Sequence, residues 1–351
     1  MTSPSLQKKR AIASSVASSL FKDQKVLAVL LIGSVARGLA SDDSDIDLAA
    51  LFEEYTGAVV SKCDIDGELV GIERHSSRAF LSWPSIPLLD QHELREAGRF
   101  ANSIVLCSRW KSLNLMKAKS KRAMLHPRSA FNHFSLVESN LKIASPNCTV
   151  SPEERLWALQ GAAAGLALLL LSLSPFKFQK PKWTIADLRN SDDKTLLPIL
   201  GEVFSARTHD ATSCVAKLEV VRKALVHACT ILRLPSLKRT EEPNDEYDYM
   251  RWAFRDAESL LRDGDFLGSI FTAVHSLRLM YVLLRQFFSH SPVAKRTAPW
   301  LQWRNEALRS ILPAYLFEGP YCETRWLSLV EVGSLIQQEY KDRYRELTRI
   351  I

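Results

Sequence analysis

Two short apolar runs, VLAVLLIGS at residues 26–34 and DIDLAALFEE at 45–54, constrain the fold of this chain more than any other feature. Each has the length of a β-strand. The first stops at Gly33-Ser34, a polar stretch with room for one helical turn or two follows, and the second opens with Asp45 and Asp47. Carboxylates are depleted from strands. In a strand, residues two apart share a face, so Asp45 and Asp47 are expected on one side and Ile46 and Leu48 on the core side.

Two like charges that close repel each other unless a cation lies between them or one carboxyl is protonated. Hard divalent cations favour carboxylate oxygens, and Mg²⁺ typically takes one or two of them together with substrate phosphates. The preceding Gly33-Ser34 turn adds backbone N–H groups and a hydroxyl at a helix start, an arrangement suited to nucleotide phosphates. Alone, D-x-D is common in surface strands. Behind a strand–Gly-Ser turn it has the parts needed for in-line phosphoryl or nucleotidyl transfer.

Further along, VVSKCDI and ELVGIERHS are strand-like and flank Asp66-Gly67, a strong hairpin signal, and another turn is expected near Thr56-Gly57. From about residue 92 the pattern turns helical, beginning with HELREAGRFANSIVLCSR and ending with LSLVEVGSLIQQEYKDRYRELTRI, with breaks at polar or proline-containing segments. The expected fold class is α+β, with a small mixed-sheet head at 1–100 and a large all-helical domain at 101–351.

Composition sets wider bounds. The 351 residues allow a substantial core, and 46% apolar with 24% charged residues is ordinary for a globular protein. A net charge of +7 favours anionic partners such as nucleotides or RNA. Six scattered cysteines without a C-x-x-C pair suggest reduced thiols and a cytoplasmic setting, and no signal-peptide core is evident. LWALQGAAAGLALLLLSLS, residues 156–174, approaches membrane-span length but carries Gln160 and two serines, so it is expected to be a core helix without a membrane partner.

Ile32-Gly33-Ser34, the gap VARGLASDDS and Asp45-Ile46-Asp47-Leu48 together resemble the signature of the polymerase-beta-like nucleotidyltransferase superfamily. The Ala-Arg-Gly within the gap looks like the small-substrate branch, which includes aminoglycoside and minimal nucleotidyltransferases. The resemblance covers about residues 25–75. It implies two Mg²⁺ ions held by Asp45 and Asp47, and Gly33 and Ser34 beneath the phosphates of ATP or another NTP. Arg37 is a candidate phosphate contact.

The family commonly adds a third carboxylate, for which Glu73 is the expected residue, as metal ligand or general base; Asp64 is the main competitor, whereas Asp66 has an ordinary structural reason to stand in the predicted turn. His75 is expected to line the site. PFKFQKPKW at 175–183 resembles a Lys-Trp stretch of related enzymes and makes Lys182 a candidate nucleotide contact, although aromatic plugs with solvated lysines would give the same pattern. The acidic EEPNDEYDYM at 241–250 fits a solvated loop before a helix better than a cradle for a cationic acceptor. The implied reaction moves a nucleoside monophosphate, most simply AMP from ATP, to a hydroxyl of a small acceptor and releases pyrophosphate. An RNA or tRNA acceptor, or a regulatory toxin–antitoxin role on a protein partner, is the alternative.

Overall fold

The computed structural model describes residues 4–42, 44–55, 60–174, 180–204, 211–232, 246–289, 299–311 and 320–350. The Thr56-Gly57 turn, most of PFKFQKPKW and the first half of EEPNDEYDYM lie outside these residues. The fold is α+β, and the chain divides into two compact units. One runs to Ala130 and takes in a short stretch from Leu171; the other comprises Phe131–Leu170 and the chain from Lys180 onward.

In the first unit, α1 (Pro4–Leu20) precedes β1 (Val26–Ile32), α2 (Gly33–Arg37), β2 (Ile46–Phe52), β3 (Val60–Ile65) and β4 (Glu68–Ser76). Then come α3 (Ser77–Leu81), β5 (Leu88–Leu89), α4 (Gln91–Ala101), β6 (Ile104–Ser108), α5 (Leu113–Arg122) and β7 (Met124–Leu125). The main sheet has the order β3-β4-β2-β1-β6. Strands β2 and β4 are parallel, whereas β1 pairs antiparallel with both β2 and β6, and β3 with β4.

The β3–β4 hairpin closes through Ile65↔Glu68. Asp66 and Gly67 both have positive φ, 53° and 76°. Tight hairpins need this left-handed pair, and Asp-Gly supplies it at low cost.

The sheet is covered on both faces. One face carries Val29, Leu31, Ile46, Leu48, Ala50, Val70 and Ile72, packed with Ile12, Ala13 and Ala17 of α1. The other carries Ala28, Leu30, Ile32, Ala49 and Leu51, packed with Phe80, Phe100, Leu113 and Met116. Each fully buried aliphatic side chain contributes about 1.5–3 kcal/mol relative to solvent exposure. Double coverage explains why β1 and β2 read as unbroken apolar runs rather than as alternating ones.

Two expectations need correction. HELREAGRFANSIVLCSR is not one helix, because α4 ends at Ala101 and SIVLCS becomes β6. Asn102 Nδ2 donates to Gly98 O at 2.7 Å and Ser103 Oγ to Phe100 O at 2.7 Å, so both side chains cap the final carbonyls. The β-branched Ile104 and Val105 then pair along the outer edge of β1. The sheet therefore extends past residue 100, and the first unit past the expected boundary.

The second unit is helical. It holds α6 (Pro127–Ala144) from Phe131 on, most of α7 (Pro152–Leu173), α8 (Pro181–Asn190), α9 (Leu196–Val203) and α10 (Ala211–Leu232). It continues through α11 (Glu246–Arg262), α12 (Phe266–Ser289), α13 (Pro299–Ile311) and α14 (Pro320–Ile350). Both α7 and α12 are long and apolar enough to cross a membrane, and most of each is buried within the protein. In α7, Ala162, Leu166 and Leu169 are fully enclosed, as expected of a core helix. Cys63, Cys107, Cys148, Cys214 and Cys229 carry reduced thiols.

Candidate active site

β1 ends at Ile32, and the chain turns at Gly33 into the single helical turn α2, closed by Gly38 in the left-handed region. Gly33 has φ +72°, and a Cβ there would fall inside van der Waals contact with Asp47 Oδ2. The register explains the approach, since Ile32 pairs with Asp47 at the end of the β1–β2 ladder. On its other side Asp47 pairs with Gly71, where a Cβ would lie 3.6 Å from Asp47 Oδ1. The Asp47 carboxylate is therefore flanked by glycine backbone in both neighbouring segments. Asp45 lies just ahead of β2, and both aspartates are partly exposed. Ser34 is buried, and its carbonyl accepts from Leu39 N at 2.9 Å. Burial lowers the Arg37 guanidinium to about 10, so it remains cationic at neutral pH.

Lys9 holds the loop that leads into the pair. Its ammonium, on a side chain only 1% exposed, donates to Asp42 O at 3.0 Å, to Ser44 O at 2.7 Å and to Glu68 Oε2. An ammonium has three donors, and all three are used. Composition and motif offered no signal for it; only the tertiary approach of α1 to that loop reveals the role.

Glu73 lies opposite Ala49 in the parallel β2–β4 register, on the face that carries Asp47. The structure does not add it to the pair as a third ligand: among the described residues, no group of three or more His, Cys, Asp or Glu is placed to hold a metal ion. Its carboxylate is engaged by Arg99 of α4, with Nη2 to Oε1 at 2.5 Å and Nη1 to Oε2 at 3.0 Å. His75 Nε2 lies 3.3 Å from Oε2. The neighbouring Arg74 instead donates to Ser61 Oγ at 2.9 Å.

Burial alone would raise the Glu73 carboxyl, but the His75 and Arg99 hydrogen bonds and their charge outweigh it and hold it at about 2. So weak a base is poorly matched to proton abstraction near neutral pH. Arg99 also contacts Glu96 at 3.0 Å, and the negative charges of Glu96, Glu73 and Asp47 keep its guanidinium protonated against its burial. The other third-acid candidates serve the hairpin. Asp64 is exposed on the edge strand and accepts from Gly67 N at 3.1 Å, and Asp66 occupies the turn.

Lys182 starts α8 and pairs with Asp256 of α11 at 2.8 Å within the second unit. Trp183 beside it is buried, as expected of an aromatic plug.

A strand–Gly-Ser turn–helix, an aspartate wedged against that turn and a second aspartate two residues before it define a nucleotidyltransferase head. Residues 15–86 match the family model described as polymerase beta, nucleotidyltransferase, and the first unit carries a domain of that superfamily. The match ends before α4 and begins after Lys9, so both Arg99 and Lys9 lie outside it. No curated protein matches the chain significantly.

Two outcomes follow from the geometry. Gly33→Ala, strained at φ +72° and driven into Asp47, is expected to cost about 1–3 kcal/mol in denaturant unfolding and to abolish transfer activity. Glu73→Gln and Arg99→Met should each cost about 1–3 kcal/mol, with the double variant no worse than the poorer single one. Because the folded carboxyl is depressed from 4.5 to about 2, the advantage of wild type over Glu73→Gln is full above about pH 4.5 and fades as pH falls toward 2. Melting temperature against pH checks this sign.

Proposed function

We propose that the protein transfers a nucleoside monophosphate, most simply AMP from ATP, to a hydroxyl of a small-molecule acceptor and releases pyrophosphate. The observation that carries this reading is the Asp47 carboxylate seated between Gly33 and Gly71, with Asp45 two residues before it. A partly exposed pair of carboxylates beside bare backbone suits Mg²⁺, which keeps several ligand positions for phosphate oxygens and water. Asp45 and Asp47 would hold it, and when bound it would neutralise phosphate charge and polarise the phosphorus centre.

The chain's own residues do the rest. Gly33 permits close approach because it has no side chain, and Ser34 N–H and Arg37 are the nearby candidates for phosphate oxygens. Glu73 orients Arg99, whose cation offsets the negative charge that gathers at Asp47 and the nucleotide. Lys182, already bound by Asp256, is assigned no step. Reduced thiols fit a cytoplasmic setting.

One feature favours the RNA alternative. The stretch 97–137 contains eight Lys or Arg residues and no Asp or Glu. Several of these are structurally engaged. Lys117 donates to Ser103 O and Lys119 to Leu81 O. Lys111, Lys121, Arg122 and Arg128 are exposed and could contact a phosphate backbone.

Pyrophosphate release with Mg²⁺ and each NTP, in the presence of hydroxylated small molecules or of RNA, tests these readings. Release that depends on a small acceptor and falls at least about a hundredfold in Asp47→Asn is expected. Release with RNA alone, weakening steeply with salt, would move the acceptor to RNA. Equal rates for wild type and Asp47→Asn would remove the catalytic reading.

A further inference from the structure

We infer that Lys9 is a positioning residue of the active site, clamping the loop that delivers Asp45 and Asp47. The inference rests on the assignment of those aspartates as the metal-binding pair, and it extends the site into α1, ahead of the matched family segment.

Three contacts converge on one ammonium, and they come from separate parts of the chain. The carbonyls of Asp42 and Ser44 belong to the approach to β2, and Glu68 opens β4 just after the hairpin. The helix that carries Lys9 is itself fixed, because Leu6, Ile12, Ala13 and Ala17 pack on the sheet face below. A buried charge is costly unless fully bonded, and here every donor is used.

Lys8 shows the contrast. It reaches the same glutamate, with Nζ 2.9 Å from Glu68 Oε1, but its side chain is 52% exposed. It touches Asp66 O and neither loop carbonyl. Lys9 ties both Asp42 and Ser44 to the body of the unit.

The geometric consequence concerns Asp45. It lies just outside the β2 ladder, which begins at Ile46, so strand hydrogen bonds hold Asp47 more firmly than Asp45. The residue directly before Asp45 is Ser44, one of the two clamped carbonyls. The loop has a further internal tie, with Ser41 N donating to Ser44 Oγ at 2.9 Å. Releasing the Lys9 clamp frees Asp45 relative to Asp47, and a pair of metal ligands binds tightly only when its separation is preset.

Mn²⁺ binding to the full chain, followed by loss of the free-ion EPR signal, tests the assignment without requiring an acceptor. Wild type should bind Mn²⁺, and Asp47→Asn should abolish binding. Lys9→Met should weaken binding about tenfold or more, the size of effect seen when outer-shell partners of metal ligands are lost. Lys8→Met, which removes a Glu68 contact but no loop contact, should match wild type. The double variant Lys9→Met/Glu68→Gln leaves no stranded carboxylate and gives a folded test if the single variant does not fold; it should show the same weakening with a wild-type-like far-UV CD spectrum.

Mn²⁺ affinity in the folded double variant equal to wild type would overturn the positioning role, as would equal weakening in Lys8→Met. Wild type that binds no Mn²⁺ would instead overturn the metal-site assignment beneath it.

Discussion

The first unit depends on one contact, the Asp47 carboxylate against the bare backbone of Gly33. It requires a left-handed residue at the end of β1, a partner strand in register at Ile32↔Asp47, and a second glycine, Gly71, across β2. A side chain at Gly33 would displace the carboxylate from the turn. The two apolar strands on either side are enclosed on both faces, so the sheet can hold this polar end fixed while the rest of each strand stays dry. The close-packed interior makes the position of one carboxylate a property of the whole sheet.

Around that contact, cations are placed by carboxylates that do not belong to the aspartate pair. Glu73 and Glu96 hold Arg99, and Glu68 holds Lys9 and Lys8. Charge compensation of this kind offsets part of the desolvation penalty that buried cations near the site incur. It also explains how Glu73 can share a face with Asp47 and still perform a different task. A carboxylate gripped by a guanidinium through two hydrogen bonds serves better as an anchor than as a base.

Much of the head was legible in the sequence because its signals are local. Strand lengths, the Gly-Ser turn, the Asp-Gly hairpin and the paired aspartates each follow from backbone preferences of the residues concerned. What escaped depends on distance along the chain. Arg99 meets Glu73 across 26 residues and Lys9 meets Ser44 across 35, and neither pairing leaves a periodic trace. The short strand β6 hides within a helical pattern, because Asn102 and Ser103 end α4 through side-chain bonds that propensity alone does not reveal. Glu73 shares a strand face with Asp47, whereas the partner that decides what it does comes from another element.

We propose that Asp45 and Asp47 form a metal site in which Glu73 takes no direct part. Anomalous scattering from crystals grown with Mn²⁺ and α,β-methylene-ATP tests it most directly. The expected result is a Mn²⁺ peak coordinated by the Asp45 and Asp47 carboxylates, with Glu73 still paired to Arg99. A peak bound by Glu73, or one remote from Asp45 and Asp47, would contradict it.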